Sequence, residues 1–406
     1  MGRSVDLHRT YDFNNWVEGF SSIPHVFCSF DFYKSFIETG PLVTEERVLC
    51  LVRKHSVDLV IVPNIYYEVG ISFFPTLRAA GARSLVVFFD DSGRFEDTNR
   101  YYLGHCDYIV THESITALER YQPYGVSVDF FPCFPSVAFY DRLLAECATK
   151  IPDLGDVTFV GAKIADRATF LGALTSAGFP VSVYGSGWPN GRVSQSAMLQ
   201  IFRESKISLN FTKSLAPDGG KQLKARAFEI VLAGGFLLTE YDAELVSYFE
   251  VGTEIDTFSN LDECVQKTRY YLENPLIREA MRQRGQEKCR GYFNFEAAWT
   301  QYLGSLDSRN TSNEIGPILG DCPTQAIRSF VQWNFSFLIG RFKTSQPKLA
   351  MDQFCWCLRE GRFLSGIYSR MVWIVFLSET ALFFLHSFKR RLVKIRLLQR
   401  IKRELD

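Results

Sequence analysis

Acidic and basic residues follow a glycine-rich loop in the middle of the chain. The loop SLAPDGGKQ leads into an apolar helical pattern whose first turns contain Arg226 and Glu229. The first turn of a helix has unpaired backbone N–H groups, so it can bind an anion. Lys221, Lys224 and Arg226 add positive charge suited to a diphosphate, and the Glu229 carboxylate can accept hydrogen bonds from both hydroxyls of a ribose. The alternative is that Glu229 only complements the helix dipole.

A second set of candidates follows predicted strands. Gly161, Lys163 and Arg167 come directly after the strand VTFVG. The glycine permits a close backbone approach, and the two bases can stabilise a leaving diphosphate. The alternative is a solvated helix start capped by Asp166. The next two strands are followed by candidates for the walls of a nucleotide-base pocket: Tyr184, Gly185, Trp188 and Asn210. The alternative is that these side chains only pack against the protein.

Acids and histidines in the first third of the chain are candidate catalytic bases. Asp90 and Asp91 end the apolar run SLVVFFDD. Adjacent acids at a strand end suit Mg²⁺. The preferred role of Asp90 and Asp91 is instead that of a general base facing an acceptor hydroxyl. The simplest role for each is to cap the loop that follows. His105, His112 and Glu113 are further candidates, with a structural role as the alternative.

The apolar pattern predicts alternating strands and helices. Strands are predicted at 25–32, 58–64, 84–91, 107–113, 157–161, 181–185, 207–211 and 236–240. Helices are predicted at 46–56, 73–82, 114–125, 166–178, 196–206, 225–235, 261–273, 276–290 and 294–305. Continuous apolar strands between helices indicate parallel sheets covered on both faces. We therefore expect an α/β fold with two Rossmann-like domains facing across a cleft, at 1–145 and 146–308, followed by a linker and helical tail at 309–406.

Several sequence segments resemble a known family. They are DDSGRF, CDYIVTHE, FVGAKIADR, VYGSGWP, SKISLNF, KARAFEIVLAGGFLLTE, ELVSYFEVGTEIDTFSN and YYLENP, between Leu59 and Tyr302. In order and spacing they resemble the glycosyltransferase-like family of spore-maturation proteins and, more broadly, group 1 glycosyltransferases of the two-Rossmann (GT-B) type. The resemblance implies sugar transfer, a ribose-binding role for Glu229, and phosphates neutralised by a helix dipole and bases, with no metal.

One residue departs from the family pattern. Retaining members of the wider group carry a second glutamate eight residues before the ribose-binding one, in contact with the donor sugar. Lys221 occupies that position here. The sugar contact, and with it retention of configuration, is therefore not carried over.

Composition and the carboxyl-terminal sequence predict where the protein acts. The net charge is zero, which disfavours nucleic acid as a partner. Because the opening residues lack an apolar stretch, we expect a cytoplasmic protein with reduced cysteines. An apolar run at 372–388 precedes eight Lys or Arg between His386 and Asp406. Residues 372–406 fit a peripheral anchor on the inner face of the cell membrane best, with a helix packed on the first domain or a spanning helix as alternatives.

The leading functional hypothesis is a glycosyltransferase of the cell envelope. It would move a hexosyl or related unit from a nucleotide-sugar to a glycan or lipid-linked acceptor, with no metal and no cofactor besides the donor. One alternative is a degenerate module that binds a glycan or nucleotide without turnover, and another is a sugar-nucleotide epimerase. Assays of donor hydrolysis and transfer distinguish the first alternative, and conversion of the donor without an acceptor distinguishes the second.

Overall fold

The computed structural model describes residues 11–64, 69–89, 91–146, 151, 154–164, 166–213, 223–306, 333–334, 336–337, 340–341 and 346–363. The chain divides into two compact units. The first unit, here called the donor unit because it holds the residues predicted to bind the donor, comprises the described residues within 1–29, 111–120 and 129–312. The second unit, here the amino-terminal-sheet unit, comprises those within 30–110, 121–128 and 313–406.

Helices and strands alternate along most of the described chain. The helices are α1 (Tyr11–Ser22), α2 (Phe32–Thr39), α3 (Pro41–His55), α4 (Phe73–Ala79), α5 (Asp91–Arg94), α6 (Arg100–Tyr102), α7 (Val137–Glu146), α8 (Arg167–Ser176), α9 (Gln195–Glu204), α10 (Ala225–Leu232), α11 (Leu261–Glu273), α12 (Pro275–Gly291), α13 (Phe295–Leu306) and α14 (Pro347–Phe363). The strands are β1 (Leu59–Asn64), β2 (Arg83–Phe88), β3 (Tyr108–Thr111), β4 (Asp129–Phe130), β5 (Val157–Val160), β6 (Val181–Tyr184), β7 (Ile207–Asn210), β8 (Leu237–Glu240) and β9 (Asp256–Phe258).

The donor unit is built on a parallel five-stranded sheet in the order β6-β5-β7-β8-β9. Val157 of β5 lies opposite Val181 of β6 on one side and Ile207 of β7 on the other. The strand order reverses between β5 and β7, as in doubly wound α/β folds. The predicted Rossmann-like arrangement is confirmed for this sheet.

Helices cover both faces of the five-stranded sheet because successive strand residues point to opposite faces. Val160 and Leu237 pack into one buried cluster with residues of α7, α9 and α10. Their neighbours Phe159 and Leu238 pack into another with residues of α8 and α11. This two-sided burial explains why the strands are continuously apolar, with every residue of β5 and β7 buried.

The other sheet has four strands in the order β1-β2-β3-β4, and β1 pairs with β2 in parallel. The core of the amino-terminal-sheet unit joins residues of α3, α4 and β2, and it includes the fully buried Trp356 of α14. The described carboxyl-terminal helix α14 therefore belongs to the same unit as residues 30–110.

Two secondary-structure predictions are wrong. Residues 25–31 form no strand and lead into α2, whose start is capped by Asp31 accepting a hydrogen bond from the Lys34 N–H (2.8 Å). Residues 114–125 form two 3-10 turns, Ile115–Arg120 and Gln122–Tyr124, instead of one helix. The second turn has proline near its start and ends at Gly125 in the left-handed conformation, which prevents one continuous helix.

The predicted helices from 46–56 to 294–305, apart from 114–125, are confirmed, although several boundaries move by a few residues. Residues 372–406, predicted to contact a membrane, lie outside the described residues. Over the part of the chain that the structure describes, no helix is both long enough and apolar enough to cross a membrane.

Candidate functional site

The carboxyl edge of the five-stranded sheet brings together most of the candidates after strands. Gly161 follows β5, Gly185 follows β6, and Phe211 and Thr212 follow β7. Ligands of doubly wound folds bind outside the carboxyl ends of the strands, at the point where strand order reverses. Here that point lies between the ends of β5 and β7. In such a fold α10, which comes between β7 and β8, starts at the same edge.

The segments after β5 and β6 are hydrogen-bonded to each other. The Gly161 N–H donates to the Tyr184 carbonyl and the Lys163 N–H to the Ser186 carbonyl, both at 2.9 Å. These N–H groups already have acceptors, so they do not supply a backbone cradle for phosphate. The close approach of the two backbones depends on Gly185, where a Cβ atom would lie 2.2 Å from the Gly161 carbonyl oxygen, whereas a Cβ atom at Gly161 would lie 2.7 Å from the Phe159 ring.

The two bases after β5 have different environments. Arg167 is half-buried, and its Cζ lies 5.5 and 6.0 Å from the ring centroids of Phe159 and Phe211. Its Nη1 donates a hydrogen bond to the Ala162 carbonyl at 3.0 Å. Burial lowers the pKa of Arg167, an effect partly opposed by the charge of Glu240. Lys163 is exposed and makes no ion pair with a described residue. Lys163 is thus the more available cation, while Arg167 supports the loop.

Two polar residues at this edge were not among the candidates. The Thr212 backbone N–H and hydroxyl both donate to Oε2 of Glu240 at 3.0 Å, which ties the end of β7 to the end of β8. The sequence signal was available, because Glu240 is the last residue of the predicted strand FLLTE. The predicted candidate Asn210 is buried and donates from Nδ2 to Oγ1 of Thr239 at 3.0 Å.

Helix α10 carries a paired acid and base in its first turns. Nη1 of Arg226 lies 2.7 Å from Oε2 of Glu229, whose side chain is 8% exposed. Oε2 is buried and, despite this ion-pair contact, accepts no hydrogen bond from the described residues. The Arg226 guanidinium also lies over the Phe202 ring at 5.5 Å. Lys224, in extended conformation, occupies the N-cap position without a side-chain cap.

The remaining donor-site candidates have packing partners. Tyr184 is partly buried against the cluster formed by α7, α9 and α10. Trp188 is partly buried and donates from Nε1 to the Gly161 carbonyl at 2.9 Å. Lys221 lies outside the described residues.

The candidate bases of the first third are described only in part. Asp90 lies outside the described residues, and Asp91 begins α5, with its side chain also outside them. His112 is buried among the rings of Trp16, Phe131 and Trp299, and its Nδ1 lies 2.6 Å from the Phe131 carbonyl. Burial lowers the pKa of His112 to about 4. This is the environment of a neutral core histidine.

The other two acid–base candidates are also enclosed by protein. Burial lowers the pKa of His105 to about 4. Glu113 is buried, and its Oε1 lies 3.6 Å from Nη1 of Arg120. Among the described residues, no group of three or more His, Cys, Asp or Glu side chains is placed to hold a metal ion.

Comparison with known proteins gives a family match within the donor unit. A family model described as glycosyl transferase-like matches residues 167–304, which span α8 to α13. No curated protein sequence matches the chain.

Similar solved structures include a glycosyltransferase from Rickettsia africae, with 12% identity over 73% of this chain and 85% of that one (TM-score 0.47). Anabaena HepE in complex with UDP-glucose has 11% identity over 66% and 82% (TM-score 0.48). A putative UDP-N-acetylglucosamine 2-epimerase from Listeria monocytogenes has 12% identity over 70% and 82% (TM-score 0.42).

The family match contains α10 with Arg226 and Glu229, and it ends within α13. The match therefore describes residues 167–304 as glycosyl transferase-like, within a chain that holds two α/β sheets.

Proposed function

We propose that the donor unit binds a nucleoside diphosphate sugar at the carboxyl edge of its five-stranded sheet. The observation that carries the proposal is the Glu229 carboxylate, which is buried in α10 while its Oε2 accepts no hydrogen bond from the described residues. A buried polar atom without hydrogen bonds is costly unless a ligand supplies them. The two hydroxyls of a ribose are donors of the required kind.

Arg226 makes this carboxylate compatible with a diphosphate. A carboxylate close to phosphates would repel them, but the guanidinium in contact with Oε2 compensates its charge. Lys224, Lys163 and the start of α10 then leave a net positive environment for the diphosphate. The same groups stabilise the negative charge that develops on the diphosphate when the sugar leaves.

The proposed reaction is transfer of a hexosyl or related unit to a hydroxyl of a glycan or lipid-linked acceptor. The bond from the anomeric carbon to the phosphate oxygen breaks, and a bond to the acceptor oxygen forms. The acceptor proton leaves to a base. Because the bases and the helix start neutralise the leaving group, the proposed transfer needs no metal.

Two alternative functions would use the same donor site. Lys221 stands where retaining relatives carry a sugar-binding glutamate, and this favours a module that binds nucleotide without turnover. An epimerase would use the same donor site without an acceptor. Release of free nucleoside diphosphate that depends on an added acceptor argues against both alternatives.

We also propose that residues 372–406 bind a membrane surface that holds the acceptor. The apolar run 372–388 and the eight basic residues between His386 and Asp406 fit contact with anionic lipids. We expect the full chain to co-sediment with phosphatidylglycerol vesicles and a chain without residues 372–406 to remain in the supernatant. Equal sedimentation of the two chains would exclude this anchor.

The donor site is tested by a thermal-shift panel of UDP, GDP, ADP, CMP and TDP and their sugar derivatives. A nucleotide that binds only the folded state raises the melting temperature by mass action. We expect one diphosphate and its sugars to stabilise the protein, equally with and without EDTA. If no nucleotide shifts the melting temperature at millimolar concentration, the proposed function is wrong.

A further inference from the structure

The segment after β6, residues 185–191, folds against the segment after β5, residues 161–163. We call the first the β6 turn and the second the β5 loop. The Lys163 N–H donates a backbone hydrogen bond to the Ser186 carbonyl, and one side chain also donates a hydrogen bond between the segments. Nε1 of Trp188, in the β6 turn, donates to the Gly161 carbonyl at 2.9 Å.

The two backbones are in direct contact at this link. Gly185 has φ 125°, a conformation that favours glycine. A Cβ atom at Gly185 would lie 2.2 Å from the Gly161 carbonyl oxygen, so no other residue fits without moving the β5 loop. The position of the β5 loop therefore depends on the β6 turn.

The indole of Trp188 also holds a cation. Nζ of Lys163 lies 5.3 Å from its ring centroid, within the range of a cation–π contact. The indole also makes an edge-to-face contact with the ring of Phe159 in β5, with 6.3 Å between the two ring centroids. A free lysine side chain samples many rotamers, and a defined position for its ammonium group costs entropy on binding. The indole restricts Lys163 before a ligand arrives.

We propose that Trp188 is a positioning residue for the diphosphate, acting through the β5 loop and Lys163. Its one polar atom is used by the Gly161 carbonyl, and its ring carries the Lys163 ammonium group. These contacts favour this role over the nucleobase wall that the sequence suggested. The inference rests on the proposed donor site, because Lys163 is there taken to face the diphosphate.

The test compares two ligands on three proteins. The ligands are the nucleoside diphosphate that stabilises the wild type most in the thermal-shift panel, measured by calorimetry, and its nucleoside, measured by ligand-observed NMR. In Trp188→Phe the ring remains but the N–H donor is lost. We expect about fivefold weaker diphosphate binding, from the loss of one hydrogen bond that fixes the loop, and unchanged nucleoside binding.

Asn190→Ala is the matched control, because it removes another hydrogen bond of the β6 turn. Nδ2 of Asn190 donates to the Val183 carbonyl at 3.0 Å, so this hydrogen bond returns to β6 and does not join the β5 loop. This variant should bind both ligands as the wild type does. If Trp188→Phe binds the diphosphate normally, or loses nucleoside and diphosphate binding equally, the inference is wrong. A wild type that binds no nucleotide instead removes the proposed function itself.

A second variant keeps the test valid if Trp188→Phe folds poorly. Lys163→Gln changes an exposed side chain, and it should also lose diphosphate affinity without losing nucleoside affinity. If Trp188 acts through Lys163, the double variant should lose less affinity than the product of the two single losses. Independent, multiplicative losses would contradict the proposed coupling.

Discussion

Buried glutamates occur beside arginines in both units, but their oxygens are satisfied differently. In the amino-terminal-sheet unit, Glu45 of α3 accepts from Nε1 of Trp356 at 2.8 Å and pairs with Nη2 of Arg359 at 2.5 Å. In the donor unit, Glu229 contacts Arg226, and its Oε2 accepts no hydrogen bond from the described residues. The fully bonded carboxylate has a structural role, whereas the incompletely bonded one is expected to bind a ligand.

The structural cluster contains a second acid. Glu360 is fully buried, accepts from the Ser72 N–H at 3.1 Å and from its hydroxyl, and lies 3.2 Å from Nη2 of Arg359. Two buried carboxylates therefore share one guanidinium. Burial raises the pKa of Glu45 to about 7, with Glu360 adding to the effect and Arg359 opposing it. Burial also raises the pKa of Glu360.

Removing the shared guanidinium should have the largest effect. Arg359→Met leaves both carboxylates without a cation, and the free energy of unfolding should fall by about 3 kcal/mol at pH 8. At pH 5 the loss should be smaller, because the carboxylates can then take up protons. Urea unfolding at the two pH values measures both effects.

The matched control is an arginine of similar exposure that pairs with two carboxylates that are not buried. Arg142 contacts Glu18 and Glu146 at 2.5 and 2.7 Å, and these side chains are 27% and 56% exposed, against 4% and 0% for the two partners of Arg359. Arg142→Met should cost less than about 1 kcal/mol at either pH. Equal losses in the two variants would show that the Glu45–Glu360 cluster has no special role.

Glu45 should make the folded protein more stable at low pH than at high pH. Its pKa is raised from 4.5 to about 7 in the folded state, so the folded state holds the proton more tightly than the unfolded state. The stabilisation is full below the unfolded pKa and is lost as the pH rises through 7. Between pH 5 and pH 7.5 the wild type should lose about 2 kcal/mol more than Glu45→Gln, which cannot titrate. Parallel pH profiles from urea unfolding would contradict this assignment.

The sequence predicts the donor unit well because local and tertiary preferences agree there. Strands such as VTFVG and ISLNF are continuously apolar since helices cover both faces of their sheet. The segment at 25–32 has the same aromatic and β-branched character, yet Val26 is fully exposed and no strand forms. Composition alone does not tell whether a sheet edge is present to receive a strand.

The sequence predicts where the candidate residues lie in the fold but not which atoms they contact. The sequence places Gly161, Trp188 and Arg167 after strands, and the structure shows them there. Their hydrogen bonds within the protein depend on which loops meet at the sheet edge, and no local pattern encodes this. The same limit applies to Glu45 and Arg359, which are 314 residues apart in the chain.

The most direct test of the account measures the two glutamates against one ligand. The stabilising nucleoside diphosphate is titrated by calorimetry into the wild type, Glu229→Gln and Glu45→Gln. Replacing the carboxylate of Glu229 weakens its hydrogen bonds to ribose, so Glu229→Gln should bind about tenfold more weakly, whereas Glu45→Gln should bind as the wild type does. If Glu229→Gln keeps wild-type affinity, Glu229 does not bind the donor, and the central claim is wrong.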